Sequence, residues 1–368
     1  LDSNTTGTYN TAIGGDALGV ATTAVRNTAV GAYAMDNATT GGYNQAFGYH
    51  ALGALTTAAN NVAIGYTAMD QDTTGAENVA VGNYTLSANT TAHANTAVGY
   101  AALYKNTTGQ SNIGVGHAAL YETTTGSYNT ALGTSSLHKN TTGNYSTAFG
   151  YYALHLNTTG EYNTAVGYKA GEALTTGWGN ICIGREAGDN MSQASKNIII
   201  GYQCDSSGYN SDACIVMGYA ATGVGDDNFT FGNGGTDSNI AFGATSITAP
   251  SDERLKENVE DEKIGLSFIN ELRPVTYQWK KEKDIPSDMN GYVANSDKRV
   301  MNGKYNHGFI AQEVKAVIDK YDIKEGSGLW TEEENGANRQ RVGESELIPF
   351  LVKAIQELSA KVAALEAG

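Results

Sequence analysis

The sequence predicts a mainly β chain: an oligomeric parallel β-solenoid of 17-residue coils, followed by a small α+β domain that closes on a coiled-coil helix. Three observations carry that prediction. One phrase recurs every 17 residues from Asn10 to Gly218. Each copy sets two apolar residues side by side, where a strand would turn them to opposite faces. After Gly218 the metre is lost, and the chain ends on apolar residues at alternating steps of three and four.

The clearest copy is Asn163-Thr164-Ala165-Val166-Gly167-Tyr168-Lys169-Ala170, and anchor glycines recur from Gly14 and Gly31 to Gly201 and Gly218, marking 13 units. A fixed period of that length means a stacked solenoid, in which each coil touches only its neighbours. In Ala97-Val98, Ala131-Leu132 and Ala148-Phe149 both neighbours are apolar, so the strand asks for burial on both sides. A second pair follows the glycine, as in Ala102-Leu103 and Ala153-Leu154. A coil of 17 residues has one interior, so the other face of the strand calls for a partner chain.

Turn signals lie between the pairs. Thr-Thr-Gly or Thr-Thr-Ala recurs in phase from Thr5 to Thr175, and its glycines, such as Gly7 and Gly109, are expected to take positive φ at a coil corner. Asn opens 11 of the 13 units, with Ser146 and Cys214 the exceptions. At the strand spacing of roughly 4.8 Å those amides are placed to hydrogen-bond from rung to rung.

Composition agrees with a rod and a cap. The 368 residues include 45 Gly but only 4 Pro, and the net charge is −15. Only 6 Lys and Arg stand against 16 Asp and Glu before Ser251, whereas 17 stand against 22 after it, which marks a domain boundary near residue 250. We read residues 1–218 as the rod, 219–250 as a tapering neck and connector, and 251–368 as a separate domain. An acidic rod without a basic cluster argues against nucleic acid as a partner. No apolar run is long enough to span a membrane, and the start does not read as a signal peptide. Leu1 in first place points to a fragment of a longer chain. Three Cys are too few for a disulfide framework; Cys182 takes the small apolar slot of its unit, and Cys204 and Cys214 are candidates for a pair.

Two weaker echoes, Asn228 to Gly232 and Asn239 to Gly243, follow at shorter spacing and read as shortened coils. The vocabulary then changes. Ile264, Phe268, Ile269 and Leu272 fit a short helix, Arg273 to Lys280 alternates as a strand, Lys281 to Lys304 is polar loop, and Gly308 to Val314 leads into a helix through Val317 and Ile318. In the last helix Ile348, Leu351, Ile355, Leu358, Val362 and Leu365 form a heptad seam, a coiled coil over 346–366. Its β-branched residues at one set of positions and Leu at the other favour two strands, whereas the long rod favours three.

Four ordered motifs carry a resemblance. They are Ser-Asp-x-Arg-Leu-Lys-x-Asn-Val from Ser251, Leu-x-Pro-Val-x-Tyr-x-Trp from Leu272, His307-Gly308-Phe309-Ile310-Ala311-Gln312-Glu313-Val314, and Leu-Ile-Pro-x-Leu-Val-x-Ala-Ile-x-Glu-Leu from Leu347. Together they resemble the C-terminal intramolecular chaperone of phage tailspikes and tail fibres, while the rod repeats are similar to the left-handed β-roll heads of trimeric autotransporter adhesins. Both resemblances imply a homotrimer and an extracellular fibre, here on a virion and made in the host cytoplasm.

The chaperone resemblance also implies a self-cleaving serine peptidase with a Ser-Lys dyad. The nucleophile maps to Ser251, the base to Lys256 and the scissile bond to Pro250-Ser251, with His307 aligned to a histidine linked to cleavage. A serine hydroxyl needs a base to take its proton, and a lysine serves once burial lowers its pKa. On an unbroken helix, however, a spacing of five turns Lys256 about 140° from Ser251. The dyad therefore needs Ser251 outside the first turn, or a lysine from another chain. By residue types alone, Ser251 and Asp252 read first as helix caps with Lys256 solvated; the four-motif resemblance reverses that order.

Tyrosines recur in phase after the anchor glycine (Tyr49, Tyr66, Tyr151, Tyr168) and before the opening Asn (Tyr128, Tyr145, Tyr162). Such rows either stack on sugars of a host receptor or stack on one another. His138 and His155 share a slot on adjacent coils but lack a third ligand type for a metal, and no cofactor is implied. The reading is a structural, receptor-binding distal part of a phage tail fibre. The alternatives are a polysaccharide-degrading tailspike, for which the rod lacks a recurrent carboxylate pair, a non-viral trimeric adhesin with an uncleaved cap, and ice binding by the Thr rows.

Overall fold

The computed structural model describes residues 1–234, 237–244, 256–287, 292–301, 303–321, 323, 328–332 and 340–367. Its contacts divide the chain into two compact units, residues 1–255 and 256–368.

The first unit is a parallel β-solenoid. Each 17-residue turn contributes one short strand, from β1 (Thr11–Ile13) to β13 (Ile215–Tyr219). Neighbours pair in register with the residue 17 positions on, as in Thr96 with Ile113, Ala97 with Gly114 and Val98 with Val115. The sequence period is thus the contour of one coil. β14 (Asn228–Gly232) continues the parallel ladder, but β15 (Ser238–Ala241) runs antiparallel to it. The second echo, read as a shortened coil, is therefore the return arm of a hairpin. A parallel return needs a crossover of about a dozen residues or more, which the shortened spacing does not supply.

One narrow interior takes both apolar sets. Mid-strand Ala29, Ala97 and Ala165 are wholly buried, and so are the turn residues Ala102, Leu103, Ala153 and Leu154. The leucines reach the interior from a left-handed backbone: Leu18, Leu52 and Leu103 have φ of 51°, 53° and 52°. That conformation costs a non-glycine residue about 1–2 kcal/mol. Full burial of a leucine returns roughly 1.5–3 kcal/mol, and the Leu103 amide also donates to the Ala119 carbonyl at 2.9 Å, so the turn is stable.

The corner glycines of the Thr-Thr-Gly triplets do not adopt positive φ, contrary to expectation. The left-handed positions are instead the anchor glycines, at +126° to +146°, and turn residues such as Tyr9, Asp16 and Leu18. Crowding accounts for the corner glycines: a Cβ on Gly109 would lie 2.2 Å from the Gly126 carbonyl oxygen of the next rung.

Polar ladders tie the rungs together, as the Asn pattern led us to expect. The Asn112 amide N–H donates to Asn95 Oδ1 at 2.9 Å, its Nδ2 donates to the Gly126 carbonyl at 2.8 Å, and its Oδ1 accepts from the Asn129 amide at 2.9 Å. All three groups are buried, where an unmatched one costs about 1–3 kcal/mol. Ser146 carries the row less fully: its amide donates to Asn129 Oδ1 at 3.0 Å and its hydroxyl accepts from the Asn163 amide at 3.3 Å. At the corners, each leading threonine from Thr5 to Thr158 donates its hydroxyl to the carbonyl 17 residues on, at 2.9–3.1 Å. Cys182, Cys204 and Cys214 are buried free thiols.

The opposite side of the strands looks outward. Ile13, Phe47, Ile64, Leu132, Phe149, Ile183 and Met217 occupy the third strand position and are 38–60% exposed. Val30, Val81, Val98 and Val166 stand in the same file. The file is a continuous apolar stripe of the kind that marks an interface.

The second unit is α+β. It holds α1 (Leu266–Glu271), β16 (Val275–Tyr277), β17 (Asn306–Gly308), α2 (Ala311–Ile318), β18 (Trp330–Glu332), β19 (Gln340–Val342) and α3 (Leu347–Glu366). β16 pairs with β17 and β18 with β19, both antiparallel.

One rung carries a flaw. Asp72 is buried in a column where Asn89, Asn106, Asn140 and Asn157 stand on later rungs. Its Oδ1 accepts from the Gly75 amide at 2.7 Å, but Oδ2 has no donor, where Asn106 and Asn157 offer an Nδ2 to the carbonyl three residues on. Burial raises the Asp72 carboxyl from 3.8 to about 7. The folded state then holds a proton that the unfolded chain releases, so this residue lowers stability progressively as pH rises from 3.8 to about 7, and the loss is complete above that. Asp72→Asn is expected to stabilise the solenoid by roughly 1–3 kcal/mol at pH 8. Thermal melts at pH 4, 6 and 8 check it: the gain should grow across that series, and a gain independent of pH would assign the effect to something other than the carboxylate.

Candidate functional site

The second unit is built around Phe268. This ring, on α1, is wholly buried and meets Tyr321 edge-on at 5.3 Å and Phe350 at 5.2 Å. Val317, Leu329 and Leu347 complete the core, with Ile264 and Leu272 packed on it from just outside the helix ends. The α1 start is held from α3, where Glu357 Oε2 accepts the Leu266 amide at 3.0 Å, a carboxylate at the helix end that attracts negative charge. Between α1 and α2, Arg273 grips Glu313 through Nε (2.9 Å) and Nη2, and Lys320 and the Tyr321 hydroxyl donate to Glu271 at 2.7 and 2.8 Å.

The hairpin of β16 and β17 carries the cleft of this unit. Thr276 lies opposite His307, and the Thr276 hydroxyl and His307 Nδ1 are 3.3 Å apart. Pro274, Val275, Gly308, Phe309 and Glu344 complete an open cleft of about 360 Å³. Gly308 makes room for the acid: a Cβ there would stand 2.7 Å from Glu344 Oε1. An imidazole, a hydroxyl and a carboxylate thus share one opening, a set able to hold and pass a proton.

Of the four site residues expected from sequence, Lys256 is exposed in irregular backbone and His307 is exposed on β17. Pro250 and Ser251 lie outside the described residues. Thr276 and Glu344 were not singled out from the sequence. Thr276 was legible as the outward residue of an alternating strand, but nothing in the spacing links Glu344 to a histidine 37 positions earlier.

α3 has two apolar faces. Leu347, Phe350 and Ala354 are buried, whereas Ile348, Leu351, Ile355, Leu358, Val362 and Leu365, the expected coiled-coil seam, are exposed. Among the described residues, the seam takes no part in the unit's buried core.

Residues 251–323 match the family model described as chaperone of endosialidase. Three of the four motifs fall inside that match and the α3 motif follows it. No curated protein and no solved structure is significantly similar to the chain. A β-solenoid of stacked 17-residue turns joined to this chaperone segment fits the architecture of tail-fibre and endosialidase-type proteins.

The rows of rings on the solenoid stack on one another. Tyr49 and Tyr66 are 5.4 Å apart at 12°, Tyr151 and Tyr168 5.5 Å at 6°, and Tyr202 and Tyr219 5.2 Å at 6°. Ring faces inside such a column are taken, and only edges face water, which favours the structural reading of the rows. His138 and His155 belong to a similar column, 5.1 Å apart, with Tyr121 stacked on His138 at 5.1 Å and 6°. Burial first, and the neighbouring His155 second, lower His138 to about 4; that imidazole is neutral at pH 7.

Phe268→Ala should destabilise the second unit by about 3–5 kcal/mol and leave the solenoid transition in place. Differential scanning calorimetry of the full chain separates the two. A single transition shifted as a whole would show that the units melt together.

Proposed function

We propose that the chain is the distal, receptor-binding part of a phage tail fibre, in which three copies bury their outward stripes against one another under the direction of the C-terminal chaperone segment. The observation that carries this reading is the continuous apolar stripe on a solenoid joined to a segment that matches the chaperone of endosialidase. Half-buried or exposed on each of 13 rungs, such a stripe calls for burial, and identical stripes on parallel copies supply it.

Periodicity makes that assembly hard to start correctly. Sliding one copy along another by 17 residues brings similar side chains together again, so a misaligned set loses little more than its end contacts. Closing long parallel pairings between separate chains is also slow. The α3 seam has no such translational ambiguity, because it is short and follows an aperiodic domain. Three seams in contact fix the ends of three chains before the rungs zip.

Cleavage then releases the chaperone. Lys256, exposed in the single chain, takes the Ser251 hydroxyl proton once assembly buries it, and Ser251 Oγ attacks the Pro250 carbonyl carbon. The peptide C–N bond breaks as the Ser251 amine leaves with a proton, and water hydrolyses the resulting ester to a Pro250 carboxylate and the free hydroxyl. His307 assists as a proton carrier.

Two measurements test the reading. On a denaturing gel wild type should give two bands where Ser251→Ala gives one, with mass spectrometry placing the cut after Pro250; identical full-length bands would make the segment a permanent cap. Light scattering should report three copies for wild type, with Val98→Asp weakening that assembly. A monomeric wild type, or correctly assembled trimers from a chain lacking 251–368, would overturn the chaperone-directed fibre.

A further inference from the structure

The tyrosine row that precedes the opening asparagines stops at Tyr162, and its end is unlike its middle. Tyr128, Tyr145 and Tyr162 hold equivalent positions on successive rungs with φ of 61°, 57° and 57°. Their centroids are 5.0 and 5.1 Å apart and their planes differ by 1° and 7°. Tyr145, in the middle, has a ring on each face. One rung beyond Tyr162 the position is Gly179, which keeps the left-handed backbone at φ +68° and brings no ring. A Cβ on Gly179 would come no nearer than 3.9 Å to any neighbour. The column lacks a ring at this rung, and a side chain placed there starts without a clash at its Cβ.

Trp178, the residue before Gly179, lines a cleft of about 250 Å³ together with Thr159, Glu161, Tyr162 and Thr176. Trp178 is the only tryptophan of the solenoid unit and is 48% exposed. Lys196, from the following rung, places its Nζ 4.8 Å from the indole centroid and steadies it. Glu161 is fixed by Asn144, whose Nδ2 donates to Glu161 Oε1 at 2.7 Å. A carboxylate accepts at about four lone-pair sites, so acceptor capacity remains.

We propose that this cleft binds one neutral pyranose ring of a surface glycan. The apolar C–H face of the sugar lies against Tyr162 and Trp178, and its hydroxyls donate to Glu161 and exchange hydrogen bonds with Thr159 and Thr176. A flat ring, apolar on its face and rich in hydroxyls at its rim, matches an aromatic pair rimmed by an acid and two hydroxyls. The carboxylate, in a chain of net charge −15, disfavours phosphates and acidic sugars. The cleft is smaller than the roughly 300 Å³ at which pockets for drug-sized ligands begin, so it holds a single ring. The site deepens the receptor-binding reading and rests on it for its biological role, while its chemistry is open to separate test.

The full chain is titrated with the methyl pyranosides of glucose, galactose, mannose and N-acetylglucosamine, using saturation-transfer NMR and calorimetry. At least one probe should receive saturation on its ring protons with millimolar affinity. Trp178→Ala should weaken it about tenfold, the loss of one aromatic contact. Gly179→Tyr should abolish it by completing the column, with a residue whose backbone conformation is already adopted at three equivalent positions. Gly179→Ala, which leaves the ring position vacant, should retain it. Failure of all four probes on wild type, or undiminished binding by a folded Gly179→Tyr, overturns the site. Light scattering on the same samples keeps the two readings apart: an assembled chain that binds no probe refutes the site alone, whereas a single chain that binds refutes the fibre alone.

Discussion

A steric rule between glycines governs the solenoid. A Cβ on any anchor glycine from Gly14 to Gly218 would lie 1.8–2.6 Å from the backbone of the next anchor glycine, so no other residue fits without moving the chain. The rule also sets phase. Once the glycines stack, the strand before them and the turn after them are fixed in height, and every other column follows. It holds even where the loop shortens, because Gly218 stacks on Gly232, 14 residues away. The contour tolerates a change in loop length; the column does not tolerate a side chain.

On that frame the polar ladders do the work that a wide apolar core does in a globular domain. The interior is mostly alanine opposite leucine, which buries little area per residue. Buried asparagines close the balance by matching the backbone groups that a tight coil leaves without partners. Each asparagine serves two rungs, so the hydrogen bonds propagate stability along the stack in the nearest-neighbour manner expected of repeat proteins. The same economy explains the sensitivity at Asp72, where one oxygen in place of an amide nitrogen leaves a buried charge with half its partners.

Much of this was legible in the sequence because the code is periodic. The strands, their register, the Asn row and the outward apolar file follow from the 17-residue metre. The corner glycines were misread because a Thr-Thr-Gly signal does not distinguish a need for positive φ from a need for empty space; Gly109 shows the second. The second echo was misread because composition carries no direction, and only the short spacing from Gly232 to Gly243 forces the chain to reverse. In the C-terminal unit the helices were readable, but the grouping of Thr276, His307 and Glu344 was not, since aperiodic tertiary contacts leave no trace in spacing. α3 held a subtler signal: its seam obscured a second stripe, Leu347, Phe350 and Ala354, that the unit uses for its own core.

The division of labour between the two units follows from information. A sequence that repeats itself specifies the shape of a rung very well and the identity of a rung hardly at all. It therefore cannot tell one copy where along another to begin. The C-terminal third contains no such repeat, and its buried contacts, Phe268 against Tyr321 and Phe350 above all, are each made once. In the fibre proposed above, placing this unrepeated segment after the repeats gives the chain a unique origin from which a translationally ambiguous stripe would be paired. In that proposed fibre, a solenoid built on a column of glycines gains its alignment from this aperiodic neighbour, and the exposed seam of α3 is the apolar face it would use.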